Sequence, residues 1–139
     1  MTNNSELRKA MVERQLRGRG ISDERVLDAM GTVPREEFLP AELVEFAYTD
    51  SALPIEEQQT ISQPYMVALM AQALEVGEDD IVLDVGTGSG YAAAVLSRMV
   101  KKVYSIERHA PLAEAAARVL EDLGYEKIEV RHGHGTKGW

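Results

Sequence analysis

The chain has no cysteine. That excludes disulfide staples, thiol nucleophiles and cysteine-bound zinc, and it gives an oxidising compartment no support. Basic charge is scarce as well: 15 Lys and Arg stand against 23 Asp and Glu, a formal net charge of −8. Nucleic-acid binding needs clustered cations to neutralise phosphates, so no general polyanion partner is expected. The one basic cluster, Arg8 to Arg19, is interrupted by Glu13 and reads as a solvated helix face. No apolar run approaches the ~18 to 20 residues of a membrane span. The polar, mixed-charge N-terminus lacks the apolar centre of a signal peptide. Internal repeats and low-complexity segments are missing too. The expectation is a cytoplasmic protein with no membrane and no nucleic-acid partner.

What is present is 139 residues, 45% apolar and 27% charged. A chain of roughly 150 residues buries about two-thirds of its unfolded surface, enough for a core without cross-links. The pattern changes near Gly77, so residues 1–76 read as a helical segment and 77–139 as alternating strand and helix, within one structural domain. In the first part, Leu7, Met11 and Leu16 sit at near-helical spacing before Gly18 and Gly20. Ser22 is placed to cap a second helix that turns Val26, Leu27 and Met30 inward. Pro34 and Pro40 punctuate short helical pieces, and 48–59 reads as a loop. A third helix is expected from Pro64 to about Glu75, with Val67, Met70, Ala71 and Leu74 on its inner face and Gly77 as its stop. Beyond Gly77, strands are expected at 81–84, 103–106 and 128–132, with helices at 91–99 and 110–123. Two β-α-β crossovers in succession predict an α/β fold, the first half of a doubly wound parallel sheet.

The informative stretch is Leu83-Asp84-Val85-Gly86-Thr87-Gly88-Ser89-Gly90, a strand entering a glycine loop that opens a helix. Glycines at 86, 88 and 90 let the backbone turn sharply and approach a ligand closely. A dinucleotide fingerprint would carry its third glycine at position 91, which is Tyr91, and the Gly-Lys-Ser/Thr ending of a P-loop is missing. Asp84 would repel a pyrophosphate but favour a ligand with ammonium and sulfonium charges, as S-adenosylmethionine has. Glu107, ending the next strand, is suited to accept from both ribose hydroxyls. Dinucleotide binding and a turn without ligand stand as the alternatives.

Several motifs then resemble those of the protein-L-isoaspartate O-methyltransferases. These are Gly20-Ile21 with Asp23 to Met30, Val33-Pro34-Arg35 to Phe38-Leu39-Pro40, YTDSALPI at 48–55 and, most specifically, QTISQPYM at 59–66. The resemblance runs from about Leu7 to Trp139 and implies a Rossmann-like methyltransferase fold. It also implies methyl transfer from S-adenosylmethionine to the α-carboxyl of isoaspartyl residues in damaged proteins and peptides. Such a carboxylate is already ionised at neutral pH, so alignment and water exclusion matter more than acid-base catalysis. By the same resemblance Ser62 would orient the carboxylate, and Thr60, Ile61 and Gln63 would wall substrate from cofactor. The loop 86–90, Asp84, Glu107 and His134 would hold the cofactor.

Plainer readings stand beside these. Ser62 is also placed to cap the third helix, Glu107 could be a solvated acid, and Asp50 a turn former. Tyr65, Met66 and Met70 read as packing residues. His132 and His134 lack an evident third ligand, so no metal is expected.

Two features depart from the family. HGHG at 132–135 stands where HGDG is usual, so His134 replaces an acid expected near the adenine. A neutral imidazole still accepts a hydrogen bond, so affinity is expected to fall as His134 protonates. The chain also ends after its third strand, where the family continues. Ile81 to Val85 is therefore expected at a bare sheet edge, with homodimerisation, element exchange or a loose monomer as the consequence. Weak turnover is expected with it, and a cofactor-binding module without catalysis is the alternative function.

Overall fold

A computed structural model describes residues 3–139. Helix α1 (Asn4–Met11) begins where the Asn3 side chain accepts from the Glu6 amide at 2.8 Å. It runs directly into a π-helical turn, Val12–Leu16. Leu7 to Met11 is a spacing of four, but Met11 to Leu16 is five, and a π turn keeps both on one face. Met11 and Leu16 are accordingly buried. A 3₁₀ turn at Arg17–Arg19 ends at Gly20, which takes the left-handed conformation.

Helix α2 (Glu24–Thr32) buries Val26, Leu27 and Met30 as expected. Its cap is Asp23, whose carboxylate accepts from the Arg25 amide, and not Ser22. The amides of Ser22 and Asp23 instead both donate to the Gln72 side chain at 3.0 Å. Two 3₁₀ segments, Arg35–Phe38 and Ala41–Phe46, follow the prolines. The stretch read as loop contains one arm of a small antiparallel hairpin, β1 (Leu53–Pro54) against β2 (Thr60–Ile61).

Helix α3 (Pro64–Leu74) starts at its proline. It stops at Glu75, which adopts the left-handed conformation, before Gly77 is reached. Val67, Ala68 and Ala71 face the core, whereas Met70 and Leu74 are 61% and 52% exposed. The inner face is thus rotated toward the small residues, which allow close approach to α2 and the first helical segment.

The second half follows the predicted alternation: β3 (Ile81–Val85), α4 (Tyr91–Ser97), β4 (Lys102–Glu107), α5 (Ala110–Asp122) and β5 (Ile128–His132). The three strands are parallel in the order β3-β4-β5, with Asp84 beside Ser105, Val85 beside Ile106 and Glu107 beside His132. The side of β3 away from β4 is unpaired among the described residues, and Ile81 and Val85 are 62% and 61% exposed. A continuous buried cluster joins α2, α3, α4 and β4 through Met30, Val33, Ala68, Tyr91, Val95 and Val103. Among the described residues no helix is long and apolar enough to cross a membrane.

Gly90 precedes α4 at φ +92°, and a Cβ there would lie 3.4 Å from Ala116 and Leu120 of α5. Gly90→Ala therefore combines backbone strain with crowding. Chemical denaturation is expected to register a loss of about 1 to 3 kcal/mol. An unchanged midpoint would mean that α5 yields freely at this contact.

Candidate functional site

The glycine loop is held by the end of β4. The Ile106 carbonyl accepts from the amides of Gly86 and Thr87 at 2.8 and 3.3 Å. The Glu107 carboxylate, only 4% exposed, takes the Gly88 amide on Oε1 and the His109 amide on Oε2, each at 2.9 Å. A carboxylate offers about four acceptor positions, so one remains on each oxygen, the number that two vicinal hydroxyls require. Thr87 is buried, its hydroxyl 2.5 Å from that of Ser105, and Ser105 donates to Asp84 at 2.7 Å. Burial raises the Asp84 carboxyl above its usual range, and Glu107 pushes the same way, against the Ser105 hydrogen bond. Ser89 accepts from the Tyr91 amide at 3.2 Å.

Above the loop lies a cavity of ≈ 510 Å³ whose wall includes Thr60, Gly86, Gly88, Glu107, His109 and His134. A Cβ on Gly86 would enter open space, and one on Gly88 would approach Ile55 of the hairpin at 3.8 Å. Bare backbone here leaves the loop open to a ligand. Volume, exposed loop backbone and two free carboxylate acceptor positions together fit an adenosine-bearing molecule. Gly135, in a 3₁₀ turn at Gly135–Lys137, packs so tightly on Val85 that any side chain there would collide with it. This contact sets His134 at the cavity. His132 bonds the Arg108 carbonyl at 3.1 Å, and no group of three metal-ligand side chains occurs among the described residues.

The remaining sequence-predicted residues fall elsewhere. Ser62 and Asp84 line a second hollow of ≈ 490 Å³ between α3 and β3, which shares Val85 with the first. Ser62 does not cap α3: Gln63 holds that position and no side-chain hydrogen bond closes the end. The Ser62 side is exposed, whereas Ile61 is 4% exposed and packs in the core. Gln63 donates to Asp50 at 2.9 Å, and Asp50 also pairs with Arg19, so Asp50 is more than a turn former. Tyr65 lies under the Arg19 guanidinium, 5.4 Å from its ring centre.

Two residues escaped the reading of site chemistry. Arg35 is fully buried; it donates to the carbonyls of Ala47 at 2.6 Å and Ser62 at 2.9 Å, and lies 4.9 Å over the Tyr91 ring. Burial lowers its affinity for the proton, with Tyr91 and Tyr48 opposing. Ser105 is the other. Its signal was present, since strand alternation puts Ser105 on the same side of β4 as Glu107. The position that would carry the third dinucleotide glycine is a core residue, Tyr91, edge-on to Phe38 at 5.7 Å.

Residues 6–139 match the family described as protein-L-isoaspartate(D-aspartate) O-methyltransferase. Protein-L-isoaspartate O-methyltransferase 2 of Pelobacter propionicus is 57% identical over 132 residues, 95% of this chain and 59% of that protein. The Brucella anthropi protein-L-isoaspartate O-methyltransferase is 50% identical over all 139 residues, 64% of its length. The chain thus spans less than two thirds of the curated relatives it matches. Among solved structures, a protein-L-isoaspartate O-methyltransferase superposes with TM-score 0.82 at 34% identity, over 92% of this chain and 42% of that one. A Plasmodium falciparum structure described as such an enzyme in complex with S-adenosyl-L-homocysteine gives TM-score 0.76 at 26% identity, over 96% of this chain and 64% of that one.

Proposed function

Because the chain belongs to the protein-L-isoaspartate(D-aspartate) O-methyltransferase family, we propose that it binds S-adenosylmethionine in the cavity over the glycine loop and serves repair of isoaspartyl proteins. The reaction is transfer of the sulfonium methyl to an isoaspartyl α-carboxylate. The observation that carries this reading is the convergence of Gly86, Gly88 and Glu107 with Thr60 of the TIS segment on one cavity. In this reading 77–139 forms the cofactor side and 1–76 the substrate side of one domain.

The bound cofactor supplies an electrophilic methyl group. Glu107 would accept the ribose hydroxyls on its two remaining acceptor positions, and the backbone of Gly86 and Gly88 would line the ligand. The Asp84 carboxylate offers attraction to its cationic end. Thr60 and Ile61 form the partition, with Ile61 rooted in the core and Gln63 tied to Asp50. Ser62 lines the second hollow, two residues from Thr60 in the wall of the first, its carbonyl fixed by Arg35. Its hydroxyl would orient the incoming carboxylate, already ionised, toward the methyl group that the cofactor would supply. No proton moves in that step, which agrees with a site that offers alignment and little acid-base chemistry.

Ser62→Ala tests the substrate side. Methyl transfer to an isoaspartyl peptide is expected to fall at least about tenfold, the effect of one lost hydrogen bond to a charged group, with affinity for S-adenosylhomocysteine unchanged. Equal activity would remove Ser62 from the reaction.

The open edge of β3 is read as a pairing edge, used by homodimerisation or exchange of an element. Light scattering is expected to detect either a species larger than the monomer or a loosely packed, expanded monomer. A compact monomer with brisk turnover would contradict this.

A further inference from the structure

Three consecutive residues of β4 hold the glycine loop, each by a different group. Ile106 does so through its carbonyl and Glu107 through its carboxylate. Ser105 does so through its hydroxyl, which lies 2.5 Å from Thr87 Oγ1 and 2.7 Å from Asp84 Oδ2. A serine hydroxyl carries one hydrogen. Given to the Asp84 carboxylate, it leaves Ser105 only as an acceptor toward Thr87, so the hydrogens run one way, from Thr87 to Ser105 to Asp84. Ser105 is fully buried and Thr87 is 4% exposed. Water therefore cannot replace either partner, and successive bonds in such a chain polarise one another.

We propose that Ser105 is a positioning residue for the cofactor cradle: its hydroxyl relays the Asp84 carboxylate to Thr87 and so holds the Gly86–Gly90 loop in its ligand-accepting shape. The proposal rests on the cofactor reading above. It gives Asp84 two linked tasks, attraction of the ligand's cationic end and anchoring of the loop. Burial and the neighbouring Glu107 carboxylate both favour protonation of Asp84, and Ser105 opposes them. From the facing helices, Met70 and Leu74 of α3 and Ala92 and Leu96 of α4 share the Asp84 hollow, and none is charged. Protonation of Asp84 would weaken the acceptor that fixes the Ser105 hydrogen and so loosen the one-way order of the chain to Thr87.

The test compares the unmodified protein with Ser105→Ala, Thr87→Val and the double variant. Affinity for S-adenosylhomocysteine is measured by calorimetry, and the Asp84 carboxyl is titrated by carbon-detected NMR without ligand. Ser105→Ala is expected to weaken binding about tenfold and Thr87→Val about three- to tenfold. The double variant should lose no more than Ser105→Ala, because both substitutions cut one chain. The Asp84 titration should move to higher pH in Ser105→Ala, and by a smaller step the same way in Thr87→Val, where the Ser105–Asp84 bond remains but is less polarised, a graded order that general loosening of the fold would not produce. Should Ser105→Ala fail to fold, Thr87→Val, which leaves the Ser105–Asp84 bond intact, carries the affinity test alone. Additive losses, unchanged affinity in either single variant, or an unmoved Asp84 titration in Ser105→Ala would overturn the proposal. Failure of the unmodified protein to bind S-adenosylhomocysteine would count against the cofactor reading instead, and the Asp84 titration would still decide the relay.

Discussion

Glu107→Ala is expected to weaken S-adenosylhomocysteine binding by roughly 10- to 150-fold, the equivalent of about 1.5 to 3 kcal/mol for hydrogen bonds to a charged acceptor. The magnitude follows from two losses. The ribose loses its acceptor, and the amides of Gly88 and His109, now held at 2.9 Å, lose theirs. The second loss loosens the loop even before ligand arrives. Glu107→Gln halves both, because its one oxygen still accepts one amide and one hydroxyl while its NH₂ cannot accept at all. Calorimetric titration of both variants should therefore give a graded series, with Gln between Glu and Ala. S-adenosylhomocysteine suits the purpose because it lacks the sulfonium charge and so isolates the ribose and loop contributions. Equal affinity in Glu107→Ala would remove this residue from both ribose binding and loop support.

The second large effect is on stability. Arg35→Ala is expected to cost about 3 to 5 kcal/mol, the range for truncating a large buried side chain. The carbonyls of Ala47 and Ser62 lose their donor, the Tyr91 ring loses the cation above it, and a cavity opens in the core. Arg35→Met keeps most of the volume but neither donor, so it should recover the packing part only. Denaturant melts of the two variants apportion packing against hydrogen bonding. A loss under about 1 kcal/mol for Arg35→Ala would mean that these carbonyls find other partners.

How far the sequence carries depends on the residue. The strands and helices after Gly77 were legible because apolar runs and an alanine-rich helix alternate there, separated by glycines. The loop could be placed because Gly86, Gly88 and Gly90 sit where a parallel strand meets a helix, and at Gly86 and Gly90 the φ angles near +90° strongly favour glycine. Glu107 was legible as a strand-end acid; its bonds to Gly88 and His109 were not, since they depend on the register between β3 and β4. Ser105 was legible only in its side of the strand, shared with Glu107; its bond to Asp84 depends on the same register. Ser62 was ambiguous for a local reason. A serine before Gln-Pro suits a cap, and only the path of the backbone into α3, with Gln63 at the boundary, removes that role. Met70 and Leu74 were misplaced because alanines at 68 and 71 compete for the same buried face and, being small, let α3 pack closer. The π turn in the first helix was implicit in a five-residue spacing read as nearly helical. Arg35 was visible only as part of a family-like motif, since nothing local marks a charge that will be wholly enclosed.

The cavity over the glycine loop is expected to take an adenosine-bearing, methyl-donor type of ligand and not a dinucleotide. Parallel calorimetric titrations of the protein with S-adenosylhomocysteine and with NAD test it most directly. Saturable binding of S-adenosylhomocysteine at one site per chain is expected, weakened in Glu107→Ala, with no heat of binding from NAD. Binding of NAD with none of S-adenosylhomocysteine would contradict it.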